Sequence, residues 1–205
     1  VKATGAPQAP VVPRPAASVL VLREQVSGPE VLMGLRGAGH RFMPNRLVFP
    51  GGAVDPEDYT AIAATPPRPA LRRRLEVAAD PALAGALAAA AARELAEETG
   101  LTLGMPPRLD VLEYLCRAVT PSDRPLRFDA RFLIVDDAAT VGRLAGSGEL
   151  EDLRFYPVEE ALALDLAQVT RGVLQRLEEW RALDPAARAA RPRTPVLHKL
   201  AWGEE

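Results

Sequence analysis

The chain has 205 residues, a length that fits one domain with decorations. Apolar residues make up 48% and charged residues 25%, which excludes a disordered chain and allows a sizeable core. Lys and Arg number 25 against 27 Asp and Glu, a formal charge of -2. Broad electrostatic binding to nucleic acid or to an anionic membrane is therefore not expected, while a local basic pocket for a phosphorylated small molecule stays open. Cys116 is the only cysteine, so no intrachain disulfide forms, and a small buried strand residue is its expected role. No run approaches the ~20 apolar residues of a membrane span. The first residues lack the basic-then-apolar layout of a signal peptide, so a cytoplasmic protein is expected.

In chain order, Pro7, Pro10, Pro13 and Pro15 make residues 1–15 a flexible Pro-rich lead-in. Ala17 to Leu22 is an apolar run suited to a buried strand, Ser27-Gly28-Pro29 a turn, and Val31 to Leu35 a second strand. A Gly/Arg-rich loop from Arg36 to Arg46 leads to a short strand, Leu47-Val48-Phe49, broken by Pro50-Gly51-Gly52. Residues 53–80 read as irregular, with two helical turns over Leu71–Ala78. A helix is predicted over Pro81–Thr99: Asp80 suits the N-cap, Pro81 the first helical position, and Gly100 the left-handed residue that ends it. Two β-like runs, Val111–Val119 and Arg127–Val135, flank the turn-rich Thr120 to Pro125. After a Gly146-Ser147-Gly148 loop come a short strand at Leu153-Arg154-Phe155, a helix opened by Pro157 and an amphipathic helix over Val169–Leu183. Residues 185–205 read as a loosely attached tail. Strands alternating with few helices predict an α/β (α+β) architecture, a mixed sheet flanked by helices, in one domain over residues 16–184.

The helix carries the chemistry. In Arg93-Glu94-Leu95-Ala96-Glu97-Glu98, the acids at i, i+3 and i+4 share one face. Glu94 and Glu98 are a like-charge pair one turn apart, and all three acids sit at the negative end of the macrodipole. A helix selected for stability alone would place Lys or Arg there. Read by itself, such a face is more often solvated surface than a site. A cation between the carboxylates would remove the conflict, and oxygen-only ligands suit Mg²⁺ or Mn²⁺.

The order Gly52, then Asp55, Glu57 and Asp58, then Arg93 to Leu101 resembles the signature of the Nudix hydrolase family. That signature runs from a glycine to an acid six residues on, then to Arg-Glu-aliphatic-x-Glu-Glu-x-Gly-aliphatic. Its second half is complete in Arg93 to Leu101; in the first half Gly52 fits, and Asp58 stands where Glu is usual. The spacer is longer than the family's, so residues 53–80 are read as an insertion, similar to that of peroxisomal coenzyme A diphosphatase-like proteins. Arg36-Gly37, Arg41, Asn45 and Phe49-Pro50-Gly51-Gly52 keep the spacing of those proteins' Arg-Ser-x3-Arg-x3-Gly-x3-Phe-Pro-Gly-Gly pattern, with Gly37 for Ser and Asn45 for Gly.

The resemblance implies a Nudix-type α/β/α sandwich and metal-dependent hydrolysis of a nucleoside diphosphate linked to another moiety. Glu94, Glu97, Glu98 and the Gly52 carbonyl are the implied metal ligands, with Mg²⁺ or Mn²⁺ as cofactor. Arg93 is expected to hold an acid in place, Asp58 or Glu57. The general base is either a signature glutamate or a later loop acid, Glu149 or Glu151. Arg36 and Arg41 are expected to grip substrate phosphates. Coenzyme A or an acyl-coenzyme A is the leading substrate; ADP-ribose, dinucleotides and nucleoside triphosphates are alternatives. The segment Thr120-Pro121 is expected near the pocket, with Arg127, Phe128 and Arg131 on the following strand. A non-catalytic nucleotide sensor is the rival of another class. No nucleic acid or membrane partner is expected, and a homodimer stays open.

Overall fold

The computed structural model describes residues 11–37, 39 and 43–205. The chain begins with two long strands, β1 (Arg14–Gln25) and β2 (Gly28–Arg36), and two short ones, β3 (Leu47–Val48) and β4 (Gly51–Ala53). Helices α1 (Pro69–Leu75) and α2 (Pro81–Thr99) follow, then β5 (Leu101–Thr102), β6 (Glu113–Val119), β7 (Phe128–Asp136), β8 (Val141–Gly142) and β9 (Leu150–Pro157). Helices α3 (Val158–Ala163), α4 (Gln168–Arg181) and α5 (Pro185–Ala190) precede the last strands, β10 (Pro195–His198) and β11 (Ala201–Glu204).

Among the described residues, nine strands form one mixed sheet in the order β11-β10-β6-β7-β1-β2-β3, with β4 also on β1 and β9 also on β2. The β1–β7 and β10–β6 pairs are parallel and the rest antiparallel. Central strands buried on both faces need apolar residues at every position, and β1 supplies them. Ala17, Val19 and Val21 join the core under α1 and α2, while Leu20 and Leu22 join the core under α3 and α4. On β7 the same alternation sends Leu133 and Val135 to the first core, Phe132 and Ile134 to the second. The result is the predicted α/β/α sandwich. Cys116 is fully buried in the second core. Among the described residues no single helix is long and apolar enough to cross a membrane.

Cap chemistry fixes α2. The Asp80 carboxylate accepts the Leu83 N–H at 2.8 Å, Pro81 opens the helix, and Gly100 closes it at φ 72° while donating to the Ala96 carbonyl. Ala84, Ala86 and Ala88 to Ala92 are buried, and their small side chains let α2 lie close to the sheet. Within residues 53–80, a 3-10 turn covers Pro56–Thr60, and α1 buries Leu71 and Leu75 one helical turn apart.

The segment read as a loose tail is integral to the sheet. β10 pairs with β6, and β11 with β10. Glu205 exchanges two backbone hydrogen bonds with Thr194, and its carboxylate pairs with Arg117 at 2.6 Å. Arg191 donates to the Tyr114 carbonyl at 3.0 Å. The anchoring runs through arginines and backbone, with Leu197 and Trp202 on the second core, too few apolar residues to announce it by their period.

Candidate active site

The turn Pro50-Gly51-Gly52 and the last two turns of α2 meet at the edge of a cavity of about 790 Å³. Gly51 must be glycine: its φ is 153°, and a Cβ would stand 2.4 Å from the Ala17 carbonyl oxygen. At Gly52 a Cβ would stand 2.2 Å from Glu94 Oε1. The turn's backbone is thus pressed directly onto the acidic face of α2. Gly52→Ala is expected to push the Glu94 carboxylate out of the place it holds and to lower the melting temperature, which a melting curve checks.

The acids divide by environment. Glu98 is 1% exposed; its Oε2 accepts the Gly51 N–H at 2.7 Å, and Oε1 lies 3.7 Å from an Arg36 nitrogen. Burial pushes its carboxyl up to about 7, with Glu94 and Glu149 adding to the rise while the Gly51 N–H and Arg36 oppose it. Glu94 is also buried, and burial raises its carboxyl too; Arg93 opposes that rise, and Glu97 and Glu149 add to it. Glu97 is exposed.

Arg93 ties the face together. Nε and Nη2 form a two-pronged bond to the buried carboxylate of Asp58 at 3.0 and 2.9 Å, and Nη2 also donates to the Ala53 carbonyl. Nη1 donates to Glu94 at 2.8 Å and to Glu97 at 3.2 Å. Hydrogen bonding to Asp58 first, and then Glu94, raises the guanidinium well above its ordinary value. The acid that Arg93 holds is Asp58, not Glu57. Asp58 itself is seated by the 3-10 turn, where it accepts the Asp55 N–H at 2.8 Å.

Among the described residues no three acidic, His or Cys side chains are grouped to hold a metal. The arginines explain this arrangement: Arg93 takes Glu94 and Glu97, and Arg36 lies against Glu98. The donor set nevertheless suits a hard cation. Two buried carboxylates carry a desolvation cost that a divalent ion offsets, and the close Gly52 backbone leaves no competing side chain.

Glu149 lines the cavity, whereas Glu151 lies in β9 and does not. Arg36 lines it with its Nε buried and without a hydrogen-bond partner. Arg41 lies outside the described residues. Thr120, Pro121 and Phe128 line the cavity. Arg127 instead bonds the Thr120 carbonyl, and Arg131 is buried against Asp129 and the Ala78 carbonyl, so both serve the fold. Sequence reasoning missed Arg14, Ser18, Arg124 and Thr170, which also line the cavity. Arg14 and Ser18 come to the cavity by the register of β1, Arg124 by the β6–β7 turn and Thr170 by the packing of α4, none of which the sequence displays.

Residues 83–177 match the family model of the NUDIX domain. A NUDIX hydrolase from Alicyclobacillus acidocaldarius is similar in structure (TM-score 0.62, 26% identity, covering 80% of this chain and 90% of that one). So is a MutT NUDIX hydrolase from Burkholderia pseudomallei (TM-score 0.53, 18% identity, 82% and 99%). The NUDIX domain of Shewanella oneidensis NrtR, complexed with ADP ribose, gives a TM-score of 0.51 at 18% identity over 88% and 96% of the two chains. No curated protein matches. The cavity built on the acidic helix, the family-model match across that helix and the shared fold make this chain similar to NUDIX proteins.

Proposed function

We propose that the protein is a divalent-metal-dependent hydrolase that cleaves the diphosphate of a nucleoside diphosphate linked to another moiety. The observation that carries this reading is the burial of Glu94 and Glu98 at the edge of a large open cavity, against the Gly51-Gly52 backbone. Buried acids at a helix C-terminus are costly to the fold and gain their purpose from a cation. Glu94, Glu97, Glu98 and the Gly52 carbonyl would hold Mg²⁺ or Mn²⁺. Such an ion supplies charge neutralisation for the diphosphate oxygens and a water acidic enough to attack. Arg93, locked to Asp58, positions Glu94 and Glu97. Arg36 offers its guanidinium to the diphosphate, since arginine forks match phosphate oxygens. Glu98 and Glu149 are the two candidates for accepting the proton of the attacking water. Glu149 has the exposure this needs, and Glu98 the raised carboxyl.

The spacing of Arg36 and Phe49-Pro50-Gly51-Gly52 supports coenzyme A or an acyl-coenzyme A as substrate, with ADP-ribose and dinucleotides as the alternatives. Incubation with Mn²⁺ or Mg²⁺ and a panel of coenzyme A, acetyl-coenzyme A, ADP-ribose, dinucleotides and dNTPs separates them. Turnover should fall about 100-fold or more in Glu97→Gln and Glu98→Gln, as loss of a charge-stabilising group does. Equal activity in those variants would overturn the ligand assignment. Binding of a nucleotide without turnover of any would favour a sensor instead.

A further inference from the structure

The cavity has a second end. Its floor is the sheet face that α4 leaves open, and strand register lays the floor out in rows. Ser18 stands opposite both Gly51 and Phe132, beside the acids. Two residues back, Ala16 is opposite Ala53 and Ala130, and Ala130 is opposite Ala118. This row of alanines on four strands makes the floor deep. Two residues further back, Arg14 is opposite Phe128, whose N–H donates to the Thr120 hydroxyl. Four strand residues span about 13 Å, so Arg14 marks the end remote from the acids.

Arg124 reaches the same end from the turn between β6 and β7, and the two segments are joined by the bond from the Arg14 N–H to the Arg127 carbonyl. Both arginines line the cavity and both are exposed. Among the described residues neither guanidinium has a hydrogen bond or an ion pair. Asp129, beside Phe128 on β7, is committed to Arg117 and Arg131. Two uncompensated cations thus close the end of a pocket whose other end is acidic.

We infer that Arg14 and Arg124 bind a second anionic group of the ligand, a phosphate monoester on its ribose, away from the diphosphate. Guanidinium forks match a phosphate monoester, and two of them around one dianion give charge-assisted bonds that a neutral hydroxyl cannot replace. The inference rests on reading the acidic end as the diphosphate site, and it makes ribose-phosphorylated nucleotides the preferred class over their plain counterparts.

Calorimetric binding of adenosine 3′,5′-bisphosphate, adenosine 2′,5′-bisphosphate and adenosine 5′-monophosphate tests it, because none of the three contains a diphosphate to be cleaved. At least one bisphosphate should bind the wild-type protein about 10-fold to 100-fold more tightly than the monophosphate, and which one wins fixes the phosphate's position. The advantage should vanish in Arg14→Ala/Arg124→Ala, shrink in each single variant, and return in part with lysine at both positions. A loss of folding would remove binding of the monophosphate too, so the ratio of affinities separates the two effects. Equal affinities in the wild type, an advantage that survives the double variant, or no binding of any of the three would overturn the inference. Preference without hydrolysis of any panel compound would overturn the hydrolase reading and leave this inference standing.

Discussion

Arg93→Ala is expected to destabilise the protein by about 3–5 kcal/mol, the range for breaking a buried ion pair from one side. The reason is Asp58. Its side chain is only 3% exposed, and the two-pronged bond from Arg93 is its charged partner there. Removing the guanidinium strands that carboxylate and also frees Glu94 and Glu97 to repel each other. For a domain of this size the melting temperature should fall by roughly 6–20 °C. Arg93→Lys should fall in between, because an ammonium cannot make the fork. Adding Asp58→Asn to Arg93→Ala should restore part of the loss, since the stranded charge is then gone. The two changes should depart from additivity by more than about 1 kcal/mol. Additive effects, or a loss below about 1 kcal/mol for Arg93→Ala, would show that the pair is not a structural clamp.

Glu98→Gln should do the opposite to the metal-free protein. A carboxyl at about 7 in the fold against an ordinary 4.5 means that the folded state favours the protonated acid. Metal-free stability therefore falls as pH rises from about 4.5 to 7, and above 7 the ionised group carries its full cost. That cost is on the order of 3 kcal/mol at pH 8. Gln keeps an oxygen to accept the Gly51 N–H without the charge. In EDTA at pH 8 the variant should melt several degrees above wild type. In Mn²⁺ the order should reverse, because the cation stabilises only the protein that binds it. A variant that melts at or below wild type in EDTA, or that gains as much from Mn²⁺ as wild type does, would remove Glu98 from the metal site.

The two effects are linked by one design. The acidic face of α2 is unfavourable to the helix and to the fold, and Arg93 bears part of that burden without ligand by holding Asp58, Glu94 and Glu97 in a single network. On the proposed reading, its hydrogen bonds to Glu94 and Glu97 would loosen if a cation took those carboxylates, while the bond to Asp58 would keep the arginine in place.

Much of this was legible in the sequence where the chemistry is local. The ends of α2 follow from Asp80, Pro81 and Gly100, and its acidic face from the spacing of Glu94, Glu97 and Glu98. The middles of β1 and β2 follow from apolar runs, but β1 begins at Arg14, inside the segment read as a flexible lead-in. What was not legible depends on residues far apart in the chain. The floor of the cavity exists because Ala16, Ala118 and Ala130, on three strands, come side by side, and an alanine in one strand carries no sign of its neighbours. Arg14 and Arg124 have the same history. β10 and β11 escaped because each has four residues, and Arg117, Arg191 and Thr194 fasten that segment together with only Leu197 and Trp202 on the second core. Asp58 was one of two acids open to Arg93, and the 3-10 turn at Pro56–Thr60 selects it by turning its side chain into the fold.

The most direct test of the central claim measures bound Mn²⁺ by electron paramagnetic resonance and diphosphate hydrolysis in the same samples. Wild type should bind Mn²⁺ and hydrolyse at least one nucleoside diphosphate derivative in proportion to the ion bound, and Glu98→Gln should lose both. Hydrolysis that persists in EDTA, or Mn²⁺ binding and turnover that survive together in Glu98→Gln, would contradict the account.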